Sequence, residues 1–159
     1  MTVFEKRTRI EASPARVFAF HERPDALALL TPPWEHTRII SKDPGLAVGV
    51  RTVLEARIGP LRQRIVAVHV AYEQGRMFRD EMEEGPFARW THTHSMDAAP
   101  EGGCWLVDHV DYALPLGALG ALGGGWFVRR KLERLFAFRH EVTKKTCEAS
   151  SEVVVPLGH

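Results

Sequence analysis

The sequence predicts an α+β fold: a curved antiparallel sheet of about seven strands wrapped on a long C-terminal helix, with two short helices after the first strand. Three observations carry this. Apolar residues alternate with period two near the N-terminus and again in about six segments between His36 and Leu114. Over residues 125–145 the period becomes helical. A meandering antiparallel sheet with one apolar face needs a cover, and this last helix is the only element large enough to be one.

Residues 3–10 read as the first strand, with Phe4, Lys6, Thr8 and Ile10 on one face. Ser13-Pro14 starts a helix that runs to His21, with serine as N-cap and proline at the first helical position. Pro24-Asp25 opens a second short helix through Leu30, and Thr31-Pro32-Pro33 stops it. Strands follow at residues 36–41, 50–59 and 61–72, with turns at Asp43-Pro44-Gly45 and Gly59-Pro60. The 50–59 strand alternates well, with Val50, Thr52, Leu54, Ala56 and Ile58 on one side. The 61–72 strand is apolar on both faces, which leaves its inner side open.

The next three strands carry the chemistry. Residues 76–82 place Phe78, Asp80 and Met82 on one face. Residues 87–96 place Trp90, His92, His94 and Met96 together, and residues 104–114 align Leu106, Asp108, Val110, Tyr112 and Leu114. Every apolar row therefore contains a polar intruder. On the final helix Val128, Leu132, Leu135, Phe136 and Val142 form the apolar arc. Arg130, Glu133, Arg134, Glu141 and Lys144 form the solvated face, and Lys144 and Lys145 suit the dipole of a last turn. Arg139 falls near the middle of the arc. Either it snorkels to the helix end or it points into a partly polar cavity.

At 159 residues, 45% hydrophobic and 26% charged, the chain reads as one globular domain, residues 1–147, with a tail at 148–159. A net charge of +1 with no basic patch argues against a nucleic-acid partner. Cys104 and Cys147 lack metal-type spacing and read as reduced thiols. The N-terminus has no apolar signal core, and the longest uncharged stretch, residues 113–128, falls short of the ~20 residues a bilayer span needs. A cytoplasmic monomer or homodimer without a membrane span is expected.

His92 and His94 stand two apart on one strand, so both rings reach the same face. With Asp80 or Asp108 they have the ligand types of a zinc or iron site. The simpler reading is buried imidazoles hydrogen-bonded to Asp80, Asp108 or Arg139, with no metal and no cofactor. The same residues could do acid–base chemistry, with Tyr112 or Arg139 steadying an oxyanion. Gly117, Gly120, Gly123, Gly124 and Gly125 match neither a phosphate loop nor a dinucleotide turn. They read as a gate before the last helix or as a permissive connection. Trp34, Trp90 and Trp126 read as core or rim packing, with ligand stacking as the alternative.

The stretch FRDEMEEGPFARWTHTH, residues 78–94, is similar to a pattern of Phe-x-Asp, Gly-Pro-aromatic and Trp-x-His-x-His. Asp108-His109-Val110-Asp111-Tyr112 with Leu114-Pro115 and Gly117 follows, and Phe136-Ala137-Phe138-Arg139-His140 lies on the helix. In these words the chain resembles the START-like superfamily of the helix-grip fold, in a bacterial branch related to polyketide cyclases and dehydrases. Coenzyme Q-binding START proteins and birch-pollen-allergen relatives share that superfamily. The resemblance covers nearly the whole chain, although the glycine-rich loop departs from it. It implies a cavity between sheet and helix that holds a small hydrophobic or amphipathic ligand: a lipid, a quinone or a polyketide. Trp34, Phe78, Asp80, Trp90, His92, His94, Asp108, Tyr112, Phe136 and Arg139 are the expected lining. The alternative is a cyclase or dehydratase using His92 and Asp108 in the same cavity.

Overall fold

The computed structural model describes residues 2–115 and 124–149. Strand β1 (Thr2–Ile10) leads into helices α1 (Pro14–Glu22) and α2 (Ala26–Leu29). Strands β2 (Thr37–Lys42), β3 (Arg51–Ile58), β4 (Leu61–Glu73), β5 (Met77–Glu84), β6 (Arg89–Ala98) and β7 (Cys104–Ala113) follow, and helix α3 (Gly125–Ala149) comes last. The strands form one seven-stranded sheet in the order β1-β7-β6-β5-β4-β3-β2. Every neighbouring pair is antiparallel. Five successive hairpins build β2 to β7, and β1 closes against β7 from the far end of the chain. This is the predicted architecture, and no helix of the described residues is long and apolar enough to cross a membrane.

Local chemistry explains the elements. The Ser13 hydroxyl accepts from the Arg16 amide at 3.2 Å, so α1 starts where a capping side chain meets Pro14. The β3–β4 hairpin turns in two residues, and Gly59 takes the positive φ of 61° that such a turn demands. On β7 burial alternates along all ten residues, with Cys104, Leu106, Asp108, Val110 and Tyr112 inward. Strand β4 resisted assignment for a visible reason. Its register with β5 shifts twice, between Val66 and Ala67 and between His69 and Ala71. Each bulge resets the alternation, so a period-two reading cannot hold along the strand. On β3, Thr52 and Val53 are both buried, so that strand is less one-sided than its sequence reads.

The apolar core has two parts. One gathers Ile10, Val17, Phe18, Phe78, Met96 and Leu106 around α1. The other gathers Phe4, Val110, Tyr112, Leu132 and Phe136 under the start of α3. Along β7, Asp108 falls between Leu106 of the first and Val110 of the second. A polar layer thus separates two apolar ones.

Helix α3 differs from its prediction in length and in face. It runs to Ala149, so Lys144 and Lys145 are not in its last turn. Lys144 instead reaches the Arg9 carbonyl and Glu148, and Lys145 pairs with Glu141. The buried residues are Leu132, Phe136, His140, Thr143 and Cys147. At 100° per residue, this stripe is turned by about 60° from the apolar arc, onto a line centred on Phe136. A histidine and a threonine inside that stripe hide it from a count of apolar residues. The predicted gate falls mostly on residues 116–123, and the tail beyond Ala149 likewise lies outside the described residues.

Gly103 ties the β6–β7 turn to β1. Its φ is 79°, and a Cβ there would sit 2.6 Å from the Ile10 carbonyl oxygen. Gly75 has a similar φ of 74° but open space around it. Gly75→Ala is therefore expected to cost about 1 kcal/mol and Gly103→Ala about 3 kcal/mol. Urea unfolding of the two variants checks this ordering.

Candidate functional site

The inner faces of β5, β6 and β7 bring Asp80, His92, His94 and Asp108 to one point, and α3 adds His140. Register does this. Asp80 lies opposite His92, and His94 lies opposite Asp108. Asp108 is the hub. Its Oδ1 accepts from His92 Nε2 at 2.7 Å and stands 2.8 Å from His94 Nδ1. Its Oδ2 accepts from His140 Nε2 at 2.6 Å. His140 Nδ1 in turn pairs with the Thr8 hydroxyl of β1 at 2.7 Å. Asp80 Oδ2 lies 3.3 Å from His94 Nε2 and 3.6 Å from His92 Nδ1. The Asp108 carboxylate thus links β6 and β7 to the covering helix, and His140 carries the link on to β1.

The cluster is not uniformly sealed. The side chains of His92, Asp108 and His140 are 4%, 5% and 2% exposed, whereas Asp80 and His94 each keep 13%. The Asp80–His94 edge is the side that still meets solvent.

Electrostatics follow from this packing. Burial alone would raise the Asp108 pKa, but His94, His140 and His92 hold it well below the usual carboxylate range. Asp80 is lowered in the same way by His94 and His92 against its burial. Burial opposes charge on His94, yet Asp108 and Asp80 flank it and lift its pKa to about 9. His92 goes the other way. Burial and the neighbouring His94 lower it despite Asp108 and Asp80.

Of the expected lining residues, Asp80, His92, His94 and Asp108 form the cluster itself. Phe78 is buried and stacks on His94, with ring centroids 4.0 Å apart at 15°. Phe136 meets the His92 ring edge-on at 5.1 Å. Trp90 lies 6.1 Å from the His92 ring, and Tyr112 is buried beside Trp90 and Phe87. Arg139 neither snorkels nor joins the carboxylates. Its Nε donates to the Leu30 carbonyl at 3.1 Å, tying α3 to the end of α2. Burial lowers its pKa, with Asp108 and Asp80 acting against that. Trp34 is 42% exposed and packs edge-on against Phe138, with Arg134 over its ring. Both cysteines are buried free thiols.

Sequence reasoning missed His140, Thr8, His21 and His69. His140 was legible as the residue one turn beyond Phe136, and Thr8 lay on the correctly read face of β1. His21 is buried beside Phe78 and His94, its Nδ1 paired with the Val17 carbonyl at 2.8 Å. His69 is buried with its Nδ1 paired with the Leu46 carbonyl at 2.7 Å, and the β4 bulges concealed which way it faces. Two surface clefts lie elsewhere. One of about 420 Å³ is lined by Thr31, Pro32, Glu35 and Ile39, and one of about 300 Å³ by Arg16, Phe20, Arg23 and Cys147. Neither is lined by a cluster residue. Among the described residues one group could hold a cation: donor atoms of Asp80, His92 and His94 lie within 4.8 Å of one another.

Two opposed pKa shifts predict a stability optimum. Burial lowers His21 from 6.5 to about 4, so the unfolded chain takes up the proton first and stability falls as pH drops from 6.5 towards 4. His94 is raised from 6.5 to about 9, so its contribution is complete below 6.5 and is lost as pH rises towards 9. Each limb is on the order of 3 kcal/mol. Thermal unfolding of chelator-treated protein should peak near neutral to slightly acidic pH. His94→Gln should flatten the alkaline limb and also soften the acid one, because charge on His94 adds to burial in lowering His21, whereas His21→Gln should reduce the acid limb.

No curated protein matches the chain. Among solved structures it is similar to the Thermus thermophilus protein TTHA0849, with 18% identity, a TM-score of 0.68, and coverage of 89% of this chain and 97% of that one. It is similar to the di-domain ARO/CYC StfQ of the steffimycin biosynthetic pathway, with 15% identity and a TM-score of 0.75, covering 95% of this chain but 52% of that one. The di-domain ARO/CYC BexL of the BE-7585A biosynthetic pathway gives 17% identity and a TM-score of 0.68, covering 92% of this chain and 50% of that one. The chain thus spans about half the length of each di-domain protein, and at these identities the likeness establishes the helix-grip fold. Residues 10–137 match the family model described as polyketide cyclase / dehydrase and lipid transport, and the chain belongs to that family.

Proposed function

We propose that the protein binds one small hydrophobic or amphipathic molecule, a lipid, quinone or polyketide-like compound, between the inner face of the sheet and α3. Its polar end rests on the Asp80–His94 edge, and Phe78, Trp90, Tyr112 and Phe136 supply the apolar and aromatic surroundings. The observation that carries this reading is a cluster of ionisable groups buried in the middle of an apolar interior with one edge left partly exposed. Burying charge is costly, and apolar side chains of similar volume would often be as stable or more so. A few polar groups converging among aromatic side chains are what a site uses to orient a ligand. The family description, which names both polyketide chemistry and lipid transport, agrees with such a ligand.

Native mass spectrometry of freshly purified protein is expected to show one retained small molecule per chain. Delipidated protein should bind a short-chain quinone or decanoic acid, read by tryptophan fluorescence because Trp90 adjoins His92. His94→Gln should weaken the polar-headed probe about tenfold while sparing a hydrocarbon of equal length. No retained molecule, together with no binding of either probe at millimolar concentration, would refute the reading. A ligand recovered unchanged supports a binding protein; a dehydrated or cyclised product would instead assign cyclase or dehydratase chemistry, with His92 and Asp108 as the acid–base pair.

A further inference from the structure

The nitrogens of His92 and His94 are sorted by Asp108. One nitrogen of each ring, Nε2 of His92 and Nδ1 of His94, is spent on Asp108 Oδ1 at 2.7 and 2.8 Å. The other two, Nδ1 of His92 and Nε2 of His94, face Asp80 Oδ2 at 3.6 and 3.3 Å. Two imidazole nitrogens and one carboxylate oxygen therefore converge from adjacent strands. A tetrahedral ion with bonds of ~2.1 Å spaces its donors by about 3.4 Å, close to both of these distances. The whole donor set lies within 4.8 Å, so closing around an ion needs side-chain movement on the order of an ångström.

We propose that Asp80, His92 and His94 form a binding site for a borderline divalent transition ion, Zn²⁺ or Fe²⁺. Three further features favour such a site over a plain hydrogen-bonded cluster. Asp108 occupies the outer position of a carboxylate–histidine–metal arrangement, fixing both rings at once. His140, held by Thr8, orients Asp108 from the helix side. The Asp80–His94 edge keeps 13% exposure, so three protein donors leave a coordination position on the solvent side. Imidazole donors select against Mg²⁺ and Ca²⁺, which prefer oxygen. The two carboxylates, Asp80 and Asp108, match the charge of a divalent ion. An ion entering here displaces the Nε2 proton that His94 shares with Asp80 and releases it to solvent. This inference concerns the ion alone; it uses the same Asp80–His94 edge as the organic ligand proposed above, and metal titration reads it separately from binding of the organic probes.

The test uses the full chain, stripped with chelator and titrated separately with Zn²⁺, with Fe²⁺ under anaerobic conditions, and with Co²⁺ as a spectroscopic probe. Native mass spectrometry and calorimetry should show one ion per chain, with Co²⁺ giving visible bands of a low-symmetry nitrogen–oxygen site. Mg²⁺ should not compete. Asp80→Asn and His94→Gln should each weaken Zn²⁺ at least tenfold, and His140→Gln more modestly. His109→Gln, on the outer face of β7, should leave binding unchanged. Circular dichroism confirms that each variant is folded; if His94→Gln is not, Asp80→Asn at the exposed edge decides. Absence of a stoichiometric ion with all three metals would overturn the proposal. So would unchanged Zn²⁺ affinity in folded Asp80→Asn, or a loss in His109→Gln as large as in Asp80→Asn.

Discussion

The Asp108 carboxylate is the constraint around which the rest is arranged. A buried carboxylate without partners would be untenable in an apolar interior. Here His92 and His140 donate to it, and His94 lies 2.8 Å away. Those partners come from β6 and α3, while Asp108 itself sits on β7. Thr8 extends the network to β1. The same contacts that satisfy one charge therefore fix the register of adjacent strands and the rotation of the covering helix. This accounts for the buried face of α3. The helix presents His140, Thr143 and Cys147 inward because His140 must reach Asp108, although a line through Leu135 and Val142 would be more apolar.

Much of this was legible in the sequence. The period-two runs located β1 and β5 to β7 and their inward faces, because the β1–β7, β5–β6 and β6–β7 pairings have no register shift and the shift beside Asp80 puts its extra residue on β4. Asp80, His92, His94 and Asp108 were identifiable as polar intruders in apolar rows, and period two fixes side as well as spacing. Other features depended on information that no local pattern holds. Two register shifts erased the alternation of β4 and with it the orientation of His69. His140 has no place in the apolar arc, and its partner Asp108 lies 32 residues away on another element, where no local pattern reaches. Arg139 broke the pattern most visibly, yet its hydrogen bond is to the Leu30 backbone, a tie between helices that side-chain periodicity does not encode.

The cluster also explains why the interior is divided. Leu106 and Val110 flank Asp108 on one strand but belong to separate apolar groups. A polar layer between them orients the site, since the His92 and His140 rings each donate one nitrogen to Asp108 and His94 is held between Asp80 and Asp108. Pre-set ring orientations matter for any role the site plays. A ligand, an ion or a transferred proton meets donors and acceptors already oriented, and little reorganisation follows its arrival. The fold places this chemistry where sheet and helix face each other, and relatives of low identity share that placement only as architecture.

The histidine ring nitrogens report on the central arrangement directly. Long-range proton–nitrogen correlation spectra of ¹⁵N-labelled protein should show His92 and His140 locked as Nε2–H tautomers, with ring protons slow to exchange with water. Asp108→Asn should scramble both assignments at once. Averaged shifts of freely exchanging tautomers at His92 and His140 in the wild-type protein would mean that Asp108 does not organise this interior.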